Sequence, residues 1–175
     1  MQPSRWFLLA STLVIPVTLL GCKAPTPKSA EEAAAPAVDQ VKVVDDYMAG
    51  WNAHDAARAA SAFTDDVVYY DASIGTPQEG KANAEKNVIQ AFLTAVPDCV
   101  WSRDSTPPVV GKDAIAFQWT FSGTNTGPWS DGTKATGKKF TIKGATLIRL
   151  RDDKIAWQGD YYDAYGFYKQ LGLAQ

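Results

Sequence analysis

The chain has 175 residues, with 17 basic and 19 acidic side chains and a formal net charge of -2. This near balance argues against a nucleic-acid-binding protein, which needs a basic surface to neutralise phosphates. A hydrophobic content of 46%, with six Trp, seven Tyr and seven Phe, argues against disorder and predicts one globular domain. Two Cys and a single His cannot form a zinc site by themselves, so we expect neither a metal nor a cofactor.

The N-terminal segment has the pattern of a secretory signal. Arg5 is followed by an apolar run from Trp6 to Leu20, which is shorter than the roughly 20 residues that span a bilayer. The run ends in Leu19-Leu20-Gly21-Cys22, which resembles the bacterial lipobox, where cleavage precedes a Cys that then carries lipid. We therefore expect a signal peptide over residues 1–21, a lipid anchor on Cys22, and a domain held at the cell envelope, facing the periplasm.

The remaining chain divides into a tether and a domain. Residues 22–37 are rich in Ala and Pro and show no hydrophobic periodicity, which is typical of a flexible tether. From residue 38 to 175 the pattern is that of a folded domain. It begins with three predicted helices, over 38–52, 56–63 and 80–95, and Asp55 stands where the second needs an N-cap. Residues 64–66 are expected to form a turn and 67–71 a short strand.

The second half of the domain predicts strands. Apolar and polar residues alternate over 114–123 and 140–150, and shorter strands are expected over 100–105 and 155–161. A closing helix follows over 162–171. Helices followed by a run of antiparallel strands predict an α+β fold, with helices packed on one face of a curved sheet.

Several motifs resemble one known family when they are taken in order. They are WNAHD, AFTDDVVYYD, VPD, GTNTGPW with ATGKKF, and DDKIAWQGDYYDAYGFYKQLG. The series resembles the SnoaL-like polyketide cyclases of the NTF2-like superfamily over residues 38–173. The resemblance implies a cone, in which a bent antiparallel sheet wraps around three helices and leaves a cavity at its open end.

Asp163 is the candidate acid–base residue. Strand alternation counted from Ile155 places Trp157, Tyr161 and Asp163 on one side of the last strand. Members of the resembled family carry a catalytic carboxylate at the matching position, inside the cone. An aromatic pocket would raise the pKa of such a group. The alternative is that Asp163 caps the closing helix.

An aromatic set is predicted to line the pocket, although a core role is the plainer interpretation. Arg149, if it points inward, could pair with Asp163 or hold a ligand carboxylate. The predicted pocket residues are Tyr70, Trp101, Phe117, Trp119, Phe121, Arg149, Trp157 and Tyr161. Trp129, in the glycine-rich loop, is expected to serve as a lid or a dimer contact.

The single His and the remaining Cys are assigned structural roles. His54 lies between two predicted helices, where hydrogen bonding to backbone is the favoured interpretation over general-base catalysis. Cys99 has apolar neighbours, so we expect it to be buried and inert.

Three functions are consistent with these features. The favoured one is the binding of a small apolar or aromatic molecule in a conical pocket, because few polar side chains face Asp163. The alternative is an acid–base enzyme, such as a cyclase, isomerase, dehydratase or hydrolase, that uses Asp163. An assembly module with a filled cone is the third, and a homodimer remains open.

Overall fold

The computed structural model describes residues 39–174; the predicted signal peptide, Cys22 and the tether lie outside the described residues. Helix α1 spans Gln40–Asn52, and the side chain of Asp39 caps it by accepting a hydrogen bond from Lys42 N at 3.1 Å. Helix α2 spans Ala56–Ala60 and is capped by Asp55, as the sequence predicted. No helix among the described residues is long and apolar enough to cross a membrane.

The third helical segment is continuous but changes its winding. It runs through α3 (Lys81–Ala84), a π-helical turn (Glu85–Gln90) and α4 (Ala91–Ala95). The junction residues keep helical backbone angles, so the rod is not broken. Such π-helical turns occur often near functional sites. Here the turn precedes Phe92, which α4 directs into the interior.

Among the described residues, the strands form one seven-stranded sheet. Its order is β2-β1-β7-β6-β5-β3, with β4 also paired to β5, and all pairs are antiparallel except β1 with β7. The strands are β1 (Phe63–Asp71), β2 (Gln78–Glu79), β3 (Val100–Arg103), β4 (Val109–Val110), β5 (Ala114–Thr124), β6 (Lys139–Arg151) and β7 (Lys154–Tyr162). Helix α5 (Ala164–Leu171) closes the domain. The mixed α+β fold is confirmed, whereas the turn predicted over 64–66 is wrong because β1 begins at Phe63.

A β-bulge in β7 decides which side chains of that strand face the core. Leu150 of β6 pairs with Ile155, but its neighbour Arg149 pairs with Trp157, so Ala156 is an extra residue. Because side chains alternate along a strand, one extra residue exchanges the two faces of everything that follows it.

The consequence is visible in the burial of β7. Gln158 and Asp160 are buried beyond the bulge, whereas Tyr161 is 49% exposed. The alternation that the sequence predicted, from Ile155 through Tyr161 to Asp163, is therefore wrong. It assumed a regular strand.

Candidate functional site

A narrow cavity lies between the inner face of the sheet and helices α1 and α4. Its volume is about 30 Å³, which is room for roughly two water molecules. Sites for drug-sized ligands typically measure several hundred Å³. The interior predicted to be an open conical pocket is therefore mostly filled by side chains, and only a narrow cleft remains. The lining residues are Trp51, Tyr69, Asp71, Phe92, Trp101, Trp119, Phe121, Ile142, Asp160 and Tyr162.

The Asp160 carboxyl is the polar centre of this cavity. Its Oδ2 accepts a hydrogen bond from the Tyr69 hydroxyl at 2.7 Å, and its Oδ1 accepts one from the Thr146 hydroxyl at 2.5 Å. The Gln158 amide Nε2 lies 3.2 Å and 3.1 Å from the two oxygens. Four buried side chains therefore form one polar cluster inside an aromatic core.

The protonation of Asp160 reflects two opposing effects. Burial and the nearby Asp71 charge raise its pKa to about 7, while hydrogen bonds from Thr146, Tyr69 and Gln158 act to lower it. Near neutral pH the group is thus present in both forms. A carboxyl in that condition can both accept and donate a proton.

A second buried carboxyl lies beside the first. Asp71 of β1 is the direct partner of Asp160 in the parallel β1–β7 register. Its Oδ1 accepts hydrogen bonds from the Tyr162 hydroxyl at 2.9 Å and from the Ser73 hydroxyl at 2.6 Å. Burial raises the pKa of Asp71, and the bonds from Ser73, Tyr162 and Ile74 act against that rise.

Trp119 fixes the direction of the Thr146 hydroxyl. The indole Nε1 donates to Thr146 Oγ1 at 2.7 Å, which leaves the hydroxyl proton of Thr146 free to point at Asp160. The Trp119 ring occupies space above Gly144, where an added Cβ would lie 2.4 Å from a ring atom. Gly144 is therefore required for this contact.

Four of the predicted pocket residues are inside the protein. Trp101, Trp119 and Phe121 line the cavity. Phe117 is buried, with its ring centroid 6.2 Å from that of Trp101, but does not reach the cavity. All four are also part of the hydrophobic core. The aromatic side chains that line the cavity are therefore core residues as well.

The other four predicted pocket residues lie on the opposite face of the sheet, so their assignment to the pocket is wrong. Tyr70 and Tyr161 contact each other with ring centroids 5.6 Å apart. The Arg149 guanidinium lies over the Trp157 ring at 5.9 Å. The β7 bulge turns Trp157 and Tyr161 outward, and alternation in β1 buries the residues on either side of Tyr70.

Asp163 is exposed and does not line the cavity, so the prediction that it lies inside the cone is wrong. Its Oδ1 accepts a hydrogen bond from Gly166 N at 2.8 Å and caps helix α5. The capping alternative therefore describes it correctly.

His54 and Cys99 contact each other, and both have structural roles. His54 Nε2 lies 2.9 Å from the Cys99 carbonyl oxygen, and its positive φ of 56° makes the turn between α1 and α2. Burial raises the pKa of the Cys99 thiol to about 11. Trp129 is half-buried against Phe92 and Phe167. Within residues 39–174, no group of three His, Cys, Asp or Glu side chains is placed to share a metal ion.

Sequence reasoning missed the polar residues at the centre of the cavity. Asp160 and Tyr162 were not assigned to the pocket because regular alternation counted from Ile155 places them on the opposite face from Tyr161 and Asp163, and Asp71 was read only as the end of a short strand. The signal that could have found them is the alternation of Gln158, Asp160 and Tyr162 along one strand. It becomes readable only if the bulge is placed at Ala156.

Comparison with known proteins gives a consistent family and fold. No curated protein matches the chain. AclR from Streptomyces galilaeus, assigned as a hydroxylase, aligns with a TM-score of 0.65 at 20% identity, over 79% of this chain and 88% of its own. A protein from Jannaschia sp. assigned as a SnoaL-like polyketide cyclase aligns at 0.68 and 15% identity, over 81% and 97%.

A protein from Catenulispora acidiphila with a ketosteroid isomerase-like fold, solved with trimethylamine, aligns at 0.64 and 20% identity, over 75% and 93%. At these identities the similarity concerns the fold alone, a mixed α+β fold with a curved sheet. The SnoaL-like domain itself matches residues 44–158. The chain therefore belongs to the SnoaL-like domain family.

Proposed function

We propose that this protein is an acid–base enzyme that binds a small apolar or aromatic molecule and moves a proton on it through Asp160. The observation that carries the proposal is a buried carboxyl that lines the cavity and is held by three side chains. The pKa of about 7 adds support, because a general acid or base works best when its pKa is close to the working pH.

The polar surroundings of Asp160 favour catalysis over binding alone. The sequence favoured binding because few polar partners were expected around the candidate carboxylate. Tyr69, Thr146 and Gln158 provide such partners, and Asp71 with Tyr162 adds a second carboxyl and a hydroxyl at the same cavity. Two neighbouring carboxyls whose environments differ are a common basis for acid–base chemistry.

The substrate must carry a proton that a carboxylate of this strength can remove. A C–H group next to a carbonyl meets that requirement. In the step, the Asp160 carboxylate takes the proton, the C–H electron pair moves toward the carbonyl to form an enolate, and the same carboxyl returns a proton to carbon. Isomerisation and ring closure both begin in this way.

The proposal is tested by hydrogen–deuterium exchange on a simple ketone. We expect the wild-type protein to speed incorporation of deuterium at the α-carbons of 2-tetralone in D2O, measured by proton NMR. Asp160→Asn should lose the acceleration, because Asn cannot accept the proton. Asp163→Asn is the matched control, since Asp163 lies outside the cavity, and should exchange at the wild-type rate.

A pure binding role predicts a different result. The ketone would then shift the resonances of cavity residues in the wild-type protein without any faster exchange. The narrow cavity also requires its aromatic walls to move for a ring to enter. Saturable resonance shifts at Trp51, Phe92 and Trp119 would report that movement.

We further propose that the protein is lipid-anchored through Cys22 and faces the periplasm. The support is the apolar segment that ends in Leu19-Leu20-Gly21-Cys22. Labelled palmitate should be incorporated into the wild-type protein expressed in bacteria, and not into the Cys22→Ser variant. Equal incorporation in both would contradict the proposed lipid anchor. A homodimer stays a prediction, which light scattering on the purified domain can decide.

A further inference from the structure

Three buried polar atoms lie between helix α1 and strand β7 and have no hydrogen-bond partner elsewhere among the described residues. They are the Tyr47 hydroxyl, the Trp51 Nε1–H and the Gln158 Oε1. Tyr47 and Gln158 are fully buried, and Trp51 is 4% exposed. Buried polar groups in folded proteins nearly always have a partner, so these three have to be satisfied by one another.

The Tyr47 hydroxyl is the member of this group that can contact the other two. It lies within hydrogen-bonding reach of the side chains of Trp51 and Gln158. Tyr47 and Trp51 are four residues apart on α1 and therefore share one face of the helix. Gln158 lies on β7, two residues before Asp160. Tyr47 thus connects α1 with the strand that carries the buried carboxyl.

Only one arrangement of protons satisfies all three atoms. The Trp51 Nε1–H can only donate and the Gln158 Oε1 can only accept, whereas a hydroxyl can do both. In this arrangement the Tyr47 oxygen accepts from Trp51 and its proton is directed at Oε1. The Tyr69 hydroxyl is also within reach of Tyr47. A Tyr47 proton directed there would leave Oε1 buried without a partner, which is unfavourable.

The Tyr47 proton also selects one of the two orientations of the Gln158 amide. With Oε1 held by Tyr47, Nε2 faces Asp160, and it lies 3.2 Å and 3.1 Å from the two carboxyl oxygens. Rotation of the amide by 180° would place Oε1 against the ionised carboxylate, so that two acceptors would face each other. The bonds would run from α1 to Asp160 through buried side chains, where linked hydrogen bonds strengthen one another.

We propose that Tyr47 is a positioning residue for Asp160: its hydroxyl, oriented by Trp51, holds the Gln158 amide so that Nε2 donates to the carboxyl. Tyr47 does not line the cavity, so it acts through Gln158. The inference deepens the proposed function, on which it rests where it concerns the reaction. The bond from Gln158 stabilises the charged form of Asp160 and so helps to set the pH at which the group can take a proton.

Four titratable side chains face Asp160 among the described residues. Asp71 and Tyr69 come from β1, Tyr162 from β7 and Tyr47 from α1. The cavity-lining side chains of α4, β3, β5 and β6 are apolar or aromatic and carry no titratable group. The charge of Asp71 is present in every variant used below, so a difference between variants does not arise from it.

The test is a 13C NMR titration of the Asp160 carboxyl carbon in wild type, Tyr47→Phe, Gln158→Met and the double variant. Gln158→Met removes the donor and should raise the midpoint by about one pH unit, the size expected for one hydrogen bond to a charged group. Tyr47→Phe should raise it by roughly half to one unit, because the amide is no longer held in one orientation. The pH profile of 2-tetralone exchange should move with the midpoint.

The double variant and a packing control separate positioning from general disturbance. Tyr47→Phe should have no further effect when Gln158→Met is already present, because the route to Asp160 is then missing. Phe63→Leu is the control, since its ring centroid lies 5.4 Å from that of Tyr47 and it carries no polar group. It should keep the wild-type midpoint.

Two results would overturn the inference. One is a wild-type midpoint in Tyr47→Phe, and the other is an equal shift by Tyr47→Phe with and without Gln158. If Tyr47→Phe does not fold, Trp51→Phe takes its place. Loss of the indole donor frees the Tyr47 hydroxyl to turn, so a wild-type midpoint there would equally overturn the positioning role. The midpoints need no substrate, so a lack of 2-tetralone exchange would reject the proposed function and leave this inference intact.

Discussion

Replacing Asp160 by Asn should remove a large part of the pH dependence of folding stability. The folded protein holds the pKa of Asp160 at about 7, compared with 3.8 for an ordinary Asp, through burial and the charge of Asp71. Between these two values the folded state binds more protons than the unfolded state. The free energy of unfolding must therefore fall as pH rises across that interval, and the loss is complete above it.

The size of this effect follows from the difference between the two pKa values. A difference of about 3 units, at about 1.4 kcal/mol per unit, corresponds to about 4 kcal/mol between roughly pH 4 and pH 8. This is a large fraction of the stability of a typical domain, about 5–15 kcal/mol. Asp160→Asn keeps the shape of the side chain and removes the titration.

The assay is urea denaturation at several pH values, followed by tryptophan fluorescence. The stability of Asp160→Asn relative to wild type should rise with pH by about 4 kcal/mol. Asp153→Asn, in the exposed β6–β7 turn, is the control and should follow the wild-type curve. If the curves of wild type and Asp160→Asn run parallel, the buried carboxyl does not titrate near neutral pH and the reasoning fails.

Three further predictions concern other parts of the domain. Asp71→Asn should shift the pH dependence of 2-tetralone exchange to lower pH, because it removes a charge that raises the pKa of Asp160; an unshifted profile would contradict the coupling. Asp163→Ala should lower the free energy of unfolding by about 1 kcal/mol through loss of a helix cap, with the rate of 2-tetralone exchange unchanged. A large loss of that exchange would indicate that Asp163 takes part in the reaction. Gly144→Ala should lower the free energy of unfolding by roughly 1–3 kcal/mol through overpacking against Trp119, and it should weaken ligand binding. Gly111→Ala is the control, because its added Cβ would meet only an ordinary contact at 3.5 Å. It should match the wild-type protein in urea denaturation and in ligand titration.

The fold was largely predictable because its signals are local. The alternation of Ile115, Phe117, Trp119 and Phe121 with polar residues defines β5, and Asp55 marks the start of α2. Such signals depend on side-chain periodicity and capping chemistry within a few residues. They are independent of how distant strands are aligned.

The site was less predictable because it depends on register between strands. The bulge at Ala156 arises from the pairing of β7 with β6. The local sequence contains no residue that predicts a bulge at this position. Its position decides whether Asp160 or Tyr161 faces the interior. The aromatic walls from β3 and β5 were found because those strands are regular, whereas the carboxyl was assigned to Asp163 from an alternation that the bulge interrupts.

Asp160 is expected to titrate near neutral pH inside the cavity, and a 13C NMR titration of its side-chain carboxyl carbon, assigned with the Asp160→Asn variant, measures this without a substrate. A buried carboxyl beside the charge of Asp71 should give a midpoint near pH 7. A midpoint near 3.8, the value of an ordinary Asp, would contradict it, because such a group would be fully ionised at neutral pH and unsuited to exchanging a proton with a bound molecule.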